Sequence, residues 1–325
     1  MRRRLLACGA VVIAAFLLPA AAQAHEGQPP APHDVWRAWN WEPFTLAVLL
    51  VSGALYARGL YTVWRQAGVG RGIEKWRAAA FFAGLLALFV ALLSPLEGMA
   101  NVLFSAHMVQ HLLLLLVAPP LLLLGRAHLA LVWALPLRTR AALARWMRQP
   151  STLGRLWQLL SKPPLVWLLY ALALWTWHLP PLYQAALRSE VIHILEHATF
   201  FGAALLLWWS LAHCHLRGSA RSYGVGILLL FTTALHGGLL GWLLTFTSQV
   251  WYPAYVETAS RWGMTALEDQ QLAGAIMWAP AGLVYALAAL VLLGAWLRGM
   301  DRVAPASGRQ TAGGCGVWYV ECGSN

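Results

Sequence analysis

Charge is the first thing this chain lacks. Charged residues fill 11% of its 325 positions and hydrophobic ones 60%, against about 25% and 45–50% in an average soluble domain. The mean hydropathy is +0.60. Such a composition excludes a soluble globular enzyme, a disordered chain and a soluble nucleic-acid binder. Cysteine is scarce too: Cys8, Cys214, Cys315 and Cys322 are all there is, too few for a disulfide scaffold. No phosphate-binding glycine loop occurs. Gly237, Gly238 and Gly241 sit inside an apolar run, where they permit close helix packing or a local break beside His236. Acidic residues number 12 against 23 Lys and Arg, a formal net charge of +11. A basic balance can point to nucleic acid. Here the charges lie between long apolar runs, so membrane topology accounts for them, and the expected partner is the lipid bilayer rather than nucleic acid.

What is present reads as an all-α polytopic membrane protein. Residues 1–24 have the form of a cleavable signal peptide: Arg2, Arg3 and Arg4, an apolar centre from Leu5 to Leu18, then Ala22-Gln23-Ala24 with small residues at a cleavage site. Cys8 follows Leu5-Leu6-Ala7 like a lipoprotein site but precedes the apolar centre, which excludes lipidation. A periplasmic arm at 25–43 follows, then seven spans at about 44–64, 76–96, 102–124, 164–183, 191–212, 223–247 and 270–297, each near the ~20 residues a crossing needs. Residues 298–325 form a cytoplasmic tail. Sixteen of the 23 basic residues fall in the loops 65–77, 126–162 and 217–221 and in the tail, and only Arg37, Arg188 and Arg261 on the other side. The positive-inside rule then places the N-terminus outside and the C-terminus inside, as the signal peptide also demands. The basic loop 125–162 has amphipathic character around Leu129, Val132 and Trp133, and could lie along the inner surface or simply anchor the topology.

The 11 histidines are the feature to explain. On this topology six lie in the outer half or middle of the membrane: His107, His111, His178, His193, His197 and His236. Ionisable groups in hydrocarbon are costly and usually face the bundle interior along a functional path. His107/His111 and His193/His197 have i,i+4 spacing, which puts both imidazoles of a pair on one helix face. Met108 and Met277 add thioethers at similar depth. Imidazole with thioether suits copper better than magnesium or calcium, and zinc also takes imidazole. Glu97, Gln110, Glu196, Asp269 and Gln270 are placed to orient ligating imidazoles through their second N–H, with Glu97 and Asp269 equally suited to capping helix ends. Shifting the chain by 86 residues aligns Pro95-Leu96 with Pro181-Leu182, His107 with His193, Gln110 with Glu196 and His111 with His197. A duplicated helix pair presenting two matched histidine faces would produce this echo. Weaker candidates are His25 at the new N-terminus with His33, His213-Cys214-His215, and Cys315 with Cys322. His128, in the basic loop, reads as a surface residue.

These motifs resemble the caa3-type CtaG family of cytochrome c oxidase assembly factors. The matching stretches are Trp39-Asn-Trp-Glu-Pro43, Ser94-Pro-Leu-Glu97, His107-Met-Val-Gln-His111, Ala118-Pro-Pro120, Trp177-His-Leu-Pro180, Leu182-Tyr183, His193 to His197, Asp269-Gln270 and Met277-Trp278. They run in order through most of residues 36–297. The family has Pro after the Gly that closes its third span, where this chain has Gly125-Arg126, and the tail from Gly308 is outside the likeness. The resemblance implies a seven-span bacterial plasma-membrane protein, not an enzyme. It implies a role in haem–copper oxidase maturation that helps copper reach subunit I or its assembly intermediates. The intramembrane histidines are then the expected copper site. Three other readings stay open. His193-Ile-Leu-Glu196-His197 matches the inverted zincin pattern of a metalloprotease. Histidines on facing helices can ligate haem. A metal-free scaffold would need no ligands at all.

Overall fold

A computed structural model describes residues 32–148, 152–217 and 219–303. The signal peptide, His25, Cys315 and Cys322 lie outside the described residues. Those described form helices joined by short turns, with no strand among them. Six helices are long and apolar enough to cross a membrane, and a bent helix pair makes a seventh crossing if it counts as one.

Helix α1 (Pro43–Ala67) starts at a proline whose missing N–H costs nothing there, and Glu42 caps it by accepting from the Phe44 and Thr45 amides. It ends at Gly68 with φ +95. Helix α2 (Lys75–Leu92) is shorter than the expected 76–96 span. Ser94 caps a separate turn, α3 (Pro95–Ala100), because Pro95 cannot continue the ladder. Helix α4 (Phe104–Leu124) follows, and widens to a π turn at Leu113–Val117 just before Pro119-Pro120. Proline at 119 leaves the Leu115 carbonyl without its i+4 donor. The Trp208 indole supplies one, at 2.9 Å, from a neighbouring helix.

The basic loop folds into α5 (Ala127–Ala134), α6 (Leu137–Arg148) and α7 (Thr152–Leu160). Helix α5 packs into the bundle against α1, so closely that a Cβ on Gly59 would collide with the Ala130 carbonyl. Leu129 joins the cluster around Tyr56 and Phe81. Arg140 lies over the Trp133 ring at 4.3 Å and donates to the Leu135 carbonyl, which ties the charge back to the fold.

The fourth crossing also departs from expectation. Helix α8 (Pro163–Trp177) stops at His178, and α9 (Pro180–Arg188) leaves it at 75°. Pro180 holds Leu179 in extended backbone, as the residue before a proline prefers. The 15 residues of α8 span about 22 Å, short of the ~30 Å hydrocarbon core. Helices α10 (Glu190–Arg217), α11 (Ala220–Phe246), a single turn α12 (Val256–Ser260) and α13 (Ala266–Val303) complete the chain. Helix α11 runs unbroken past Gly237 and Gly238. Gly241 meets Gly274 of α13 backbone to backbone: a Cβ at Gly241 would lie 3.0 Å from the Gly274 carbonyl and 2.7 Å from Trp278 Cβ. Small residues permit this approach, and van der Waals attraction between the two backbones substitutes for a hydrophobic drive that lipid does not supply. The main core lies among α4, α8, α10, α11 and α13, around the histidines.

Candidate metal centre

Helix periodicity builds the site first. His107 opens α4 at its fourth residue and His193 opens α10 at its fourth, and each is followed one turn later by its partner. The rings of His107 and His111 stand 4.3 Å apart, those of His193 and His197 4.1 Å apart. The two helices turn these faces toward each other. His107 faces His193 at 5.6 Å and His111 faces His197 at 5.5 Å. The 86-residue echo extends to the preceding turns. Glu97 reaches toward His193, with Oε1 at 3.9 Å from Nδ1. Its counterpart Tyr183 lies 5.0 Å from the His107 ring.

Glu196 sits between the imidazoles of α4. Its carboxylate oxygens are 3.8 Å from His107 Nε2 and 3.8 Å from His111 Nε2, too long for hydrogen bonds. One ligand atom each from His107, His111, Glu196 and His197 lie within 4.8 Å of one another, the one such group of three or more among the described residues. Around a small tetrahedral ion with bonds near 2.0–2.1 Å, ligand atoms are about 3.3 Å apart, so a modest tightening closes the group. Both ring nitrogens of His107 and His111, both oxygens of Glu196 and Nε2 of His197 are buried without a hydrogen-bond partner. Glu196 is fully buried. A lone buried carboxylate with two orphaned oxygens is expensive, and a cation between these groups would satisfy all four side chains at once. The donor set is three nitrogens and one oxygen. Glu196 is thus one of the four residues that could hold an ion here; the sequence reading puts it behind the ligands.

The other acidic and amide groups hold the frame. Asp269 touches no imidazole. Its carboxylate accepts from the Phe104 and Ser105 amides at 2.7 and 3.0 Å, capping the helix that carries His107. Gln110 donates to the Ala91 carbonyl at 2.8 Å and to Glu97, locking α4 to α2 and α3. Gln270 ties the loop before α12 through the Trp251 amide at 2.7 Å and the Gln249 carbonyl at 3.0 Å. In the connection between two crossings, burial pushes the Glu97 carboxyl up to about 7, against the Gln110 hydrogen bond, and Glu190 and Glu196 push the same way.

His178, Met108 and Met277 stand beside this group rather than in it. With His111 they line a cavity of about 40 Å³ between α4, α8, α11 and α13. His178 Nδ1–H donates to the Leu174 carbonyl at 2.7 Å, which leaves Nε2 free of any partner. His236 is set apart from the other imidazoles, packed on Trp167 at 5.6 Å and Tyr170 at 6.1 Å. Trp177 spans α8 and α10 through the Thr199 hydroxyl at 2.8 Å.

Sequence reasoning missed an aromatic cover. Phe104, Tyr183, Tyr252 and Tyr255 pack together with centroid distances of 4.5–6.2 Å. Tyr183 and Tyr255 share a hydrogen bond of 2.6 Å, Tyr255 also reaches the Ala100 carbonyl, and Tyr252 donates to the His178 carbonyl at 2.7 Å. Tyr183 stands in a motif, but the two loop tyrosines carry no signal beyond being aromatic in a short connection. The weaker candidates do not cluster. His33 pairs with Asp34 at the surface. His213 donates to the Trp209 carbonyl, His128 packs edge-on against Trp209 at 5.9 Å, and Cys214 is buried.

The geometry bears on the other readings. A zincin would coordinate its ion through His193 and His197 and keep Glu196 for water. Here Glu196 turns to the imidazoles of α4, with its oxygens 3.8 Å from His107 Nε2 and His111 Nε2. The rings of His107, His111, His193 and His197 stand 4.1–6.0 Å apart, beside a cavity of about 40 Å³.

The family model described as "Cytochrome c oxidase caa3 assembly factor (Caa3_CtaG)" matches residues 54–299. Uncharacterised proteins of Mycobacterium bovis and Mycobacterium tuberculosis are each 25% identical over 280 residues, and one of Mycobacterium leprae is 25% identical over 292. Each match covers 85% of this chain and 42% of the relative, so the chain spans about two fifths of the length of the curated relatives it matches. No solved structure matches it.

Proposed function

The chain belongs to the cytochrome c oxidase caa3 assembly factor family, and from that membership we propose that it carries copper within the bilayer and delivers it to a haem–copper oxidase during assembly. The observation that carries this reading is the buried group of His107, His111, Glu196 and His197, with ligand atoms within 4.8 Å and seven polar atoms lacking partners. Copper is cargo here, so the protein is a carrier and not an enzyme. Imidazole suits copper in either common oxidation state, and the aromatic cover with the surrounding apolar helices excludes water from the ion.

His193 and Glu97 are only partly exposed, at 14% and 13%, and form the way in. In this reading the chain sits in the bacterial plasma membrane with seven crossings, its N-terminus outside after removal of residues 1–24, and its histidine end toward the periplasm. The recipient is subunit I or an assembly intermediate, approached laterally.

The test is copper content of the detergent-purified full chain by elemental analysis under reducing conditions. Wild type is compared with the His107→Ala/His111→Ala double variant, alongside copper content and activity of the oxidase in cells. Near-stoichiometric copper that disappears in the variant, with a copper-poor oxidase, is the expected result. A wild type that takes up no copper after loading would overturn the reading in favour of a metal-free scaffold, as would a variant whose oxidase is fully metallated.

A further inference from the structure

The cavity beside the metal centre has a different chemistry from the centre itself. Met108, Met277, His111 and His178 line it, and their side chains carry two thioethers and two imidazoles. All four side chains are buried, from 1% exposed at Met108 to 8% at Met277. His178 is 4% exposed and has one nitrogen fixed on the Leu174 carbonyl, so Nε2 keeps a lone pair with nothing to accept. Thr233 is buried there as well, and its hydroxyl oxygen makes no hydrogen bond. The phenols of Tyr170 and Tyr285 satisfy each other at 2.7 Å and offer little to a guest. Gly237 and Gly238 line the space without side chains.

Charge and volume decide what such a space can take. No carboxylate lines it, so an ion placed there is not neutralised by the protein. The cost of burying an ion rises with the square of its charge, which favours a monovalent over a divalent one. About 40 Å³ holds roughly three waters, so an ion must shed most of its hydration shell to enter. Two thioethers are soft donors, and together with imidazole they repay that loss for a soft, weakly hydrated cation. The neighbouring group with Glu196 carries the negative charge a divalent ion needs.

We propose that Met108, Met277 and His178 form a second ion site, for a soft monovalent cation such as Cu(I), with His111 as the wall shared with the histidine–glutamate group. Its role as the onward station for cargo rests on the carrier reading above. A Cu(I) ion held in the first group passes, with no change of oxidation state, around a single imidazole, a turn deeper on α4 than His107, into a chamber whose ligands release a cation without leaving a charge behind.

The experiment uses the purified full chain and two probes: Ag(I), a redox-inert stand-in for Cu(I), and Co(II), whose visible absorption reports a nitrogen–oxygen site. Met108→Leu/Met277→Leu keeps side-chain volume and is tolerated by packed cores. The expected result is the loss of one Ag(I) equivalent per chain and of sulfur scattering in the Ag X-ray absorption spectrum, with the Co(II) band unchanged. Glu196→Gln should do the reverse, weakening the Co(II) band and leaving sulfur-bound Ag(I). Unchanged Ag(I) stoichiometry in the methionine variant, or no sulfur around Ag(I) in the wild type, overturns the second site while the first stands. No Co(II) band in the wild type beside intact sulfur-bound Ag(I) would instead overturn the histidine–glutamate group.

Discussion

Asp269→Ala probes how the fold holds the first histidine in place. Asp269 lies 165 positions from Phe104 in sequence and is fully buried, yet its carboxylate satisfies two amides of the first turn of α4 at 2.7 and 3.0 Å. The helix N-terminus carries partial positive charge, which favours an anion at that place. A hydrogen bond to a charged group contributes about 1.5–3 kcal/mol, and a buried donor left alone costs about 1–3 kcal/mol. With two donors orphaned, Asp269→Ala should cost about 3–5 kcal/mol. Asp269→Asn keeps one carbonyl acceptor and loses the charge, and should cost about 1–2 kcal/mol. The damage falls on the turn that presents His107, while His111 sits a turn further in. Copper affinity should therefore drop by about tenfold for each 1.4 kcal/mol of misplacement, before the bundle itself is lost. Unfolding in mixed micelles followed by helical circular dichroism, with copper titration of the same samples, reads both effects. Asp269→Ala within about 0.5 kcal/mol of wild type, or Asp269→Asn as damaging as Asp269→Ala, would refute the cap as the source of this order.

Three further outcomes follow from the same structure. Glu196→Gln removes a buried, unpartnered charge, so the metal-free variant should melt above the metal-free wild type but gain nothing from added copper. A lower metal-free midpoint in a thermal-shift assay would contradict this. Gly241→Ala should cost about 1–3 kcal/mol by forcing α11 off α13, whereas Gly238→Ala, with nothing within 4 Å of the new methyl, should be neutral; equal effects on unfolding would show that the glycine crossing is not tight. Glu97 ionises near 7 in the fold, raised from 4.5, so its contribution to stability is fully present below pH 4.5 and is lost as pH rises toward 7. Glu97→Gln, neutral throughout, should lose less thermal stability than wild type between pH 5 and pH 8, and parallel profiles would show that Glu97 is not the group responsible.

Much of the site is legible in the amino-acid order alone. The pairing of His107 with His111 and of His193 with His197 is a consequence of helix period, and the rings lie as the spacing requires. The proline pairs are equally visible, although their effects are stronger in the fold than the pattern suggests. Pro180-Pro181 ends the fourth crossing at His178, and Pro119-Pro120 frees a carbonyl that Trp208 then satisfies. Glu196 reads from sequence as a group behind the ligands, because a carboxylate between two histidines on one helix gives no hint that the facing helix brings two more imidazoles to it. His236 groups with the other histidines on depth alone, and depth does not say which way a residue faces around a helix.

The chain's own order of residues thus settled the apolar runs and the two histidine faces, because each depends on neighbours within a few positions. Only the packed bundle decided that those faces meet, that Asp269 caps α4, and that Met108 and Met277 line a cavity with His111 while Glu196 groups with His107, His111 and His197. In a chain this uniformly apolar, every helix face has much the same affinity for every other. The choice among them is made by close backbone approach at residues such as Gly241 and Gly274 and by a few long-range hydrogen bonds, whose partners lie too far apart along the chain for local pattern to reveal.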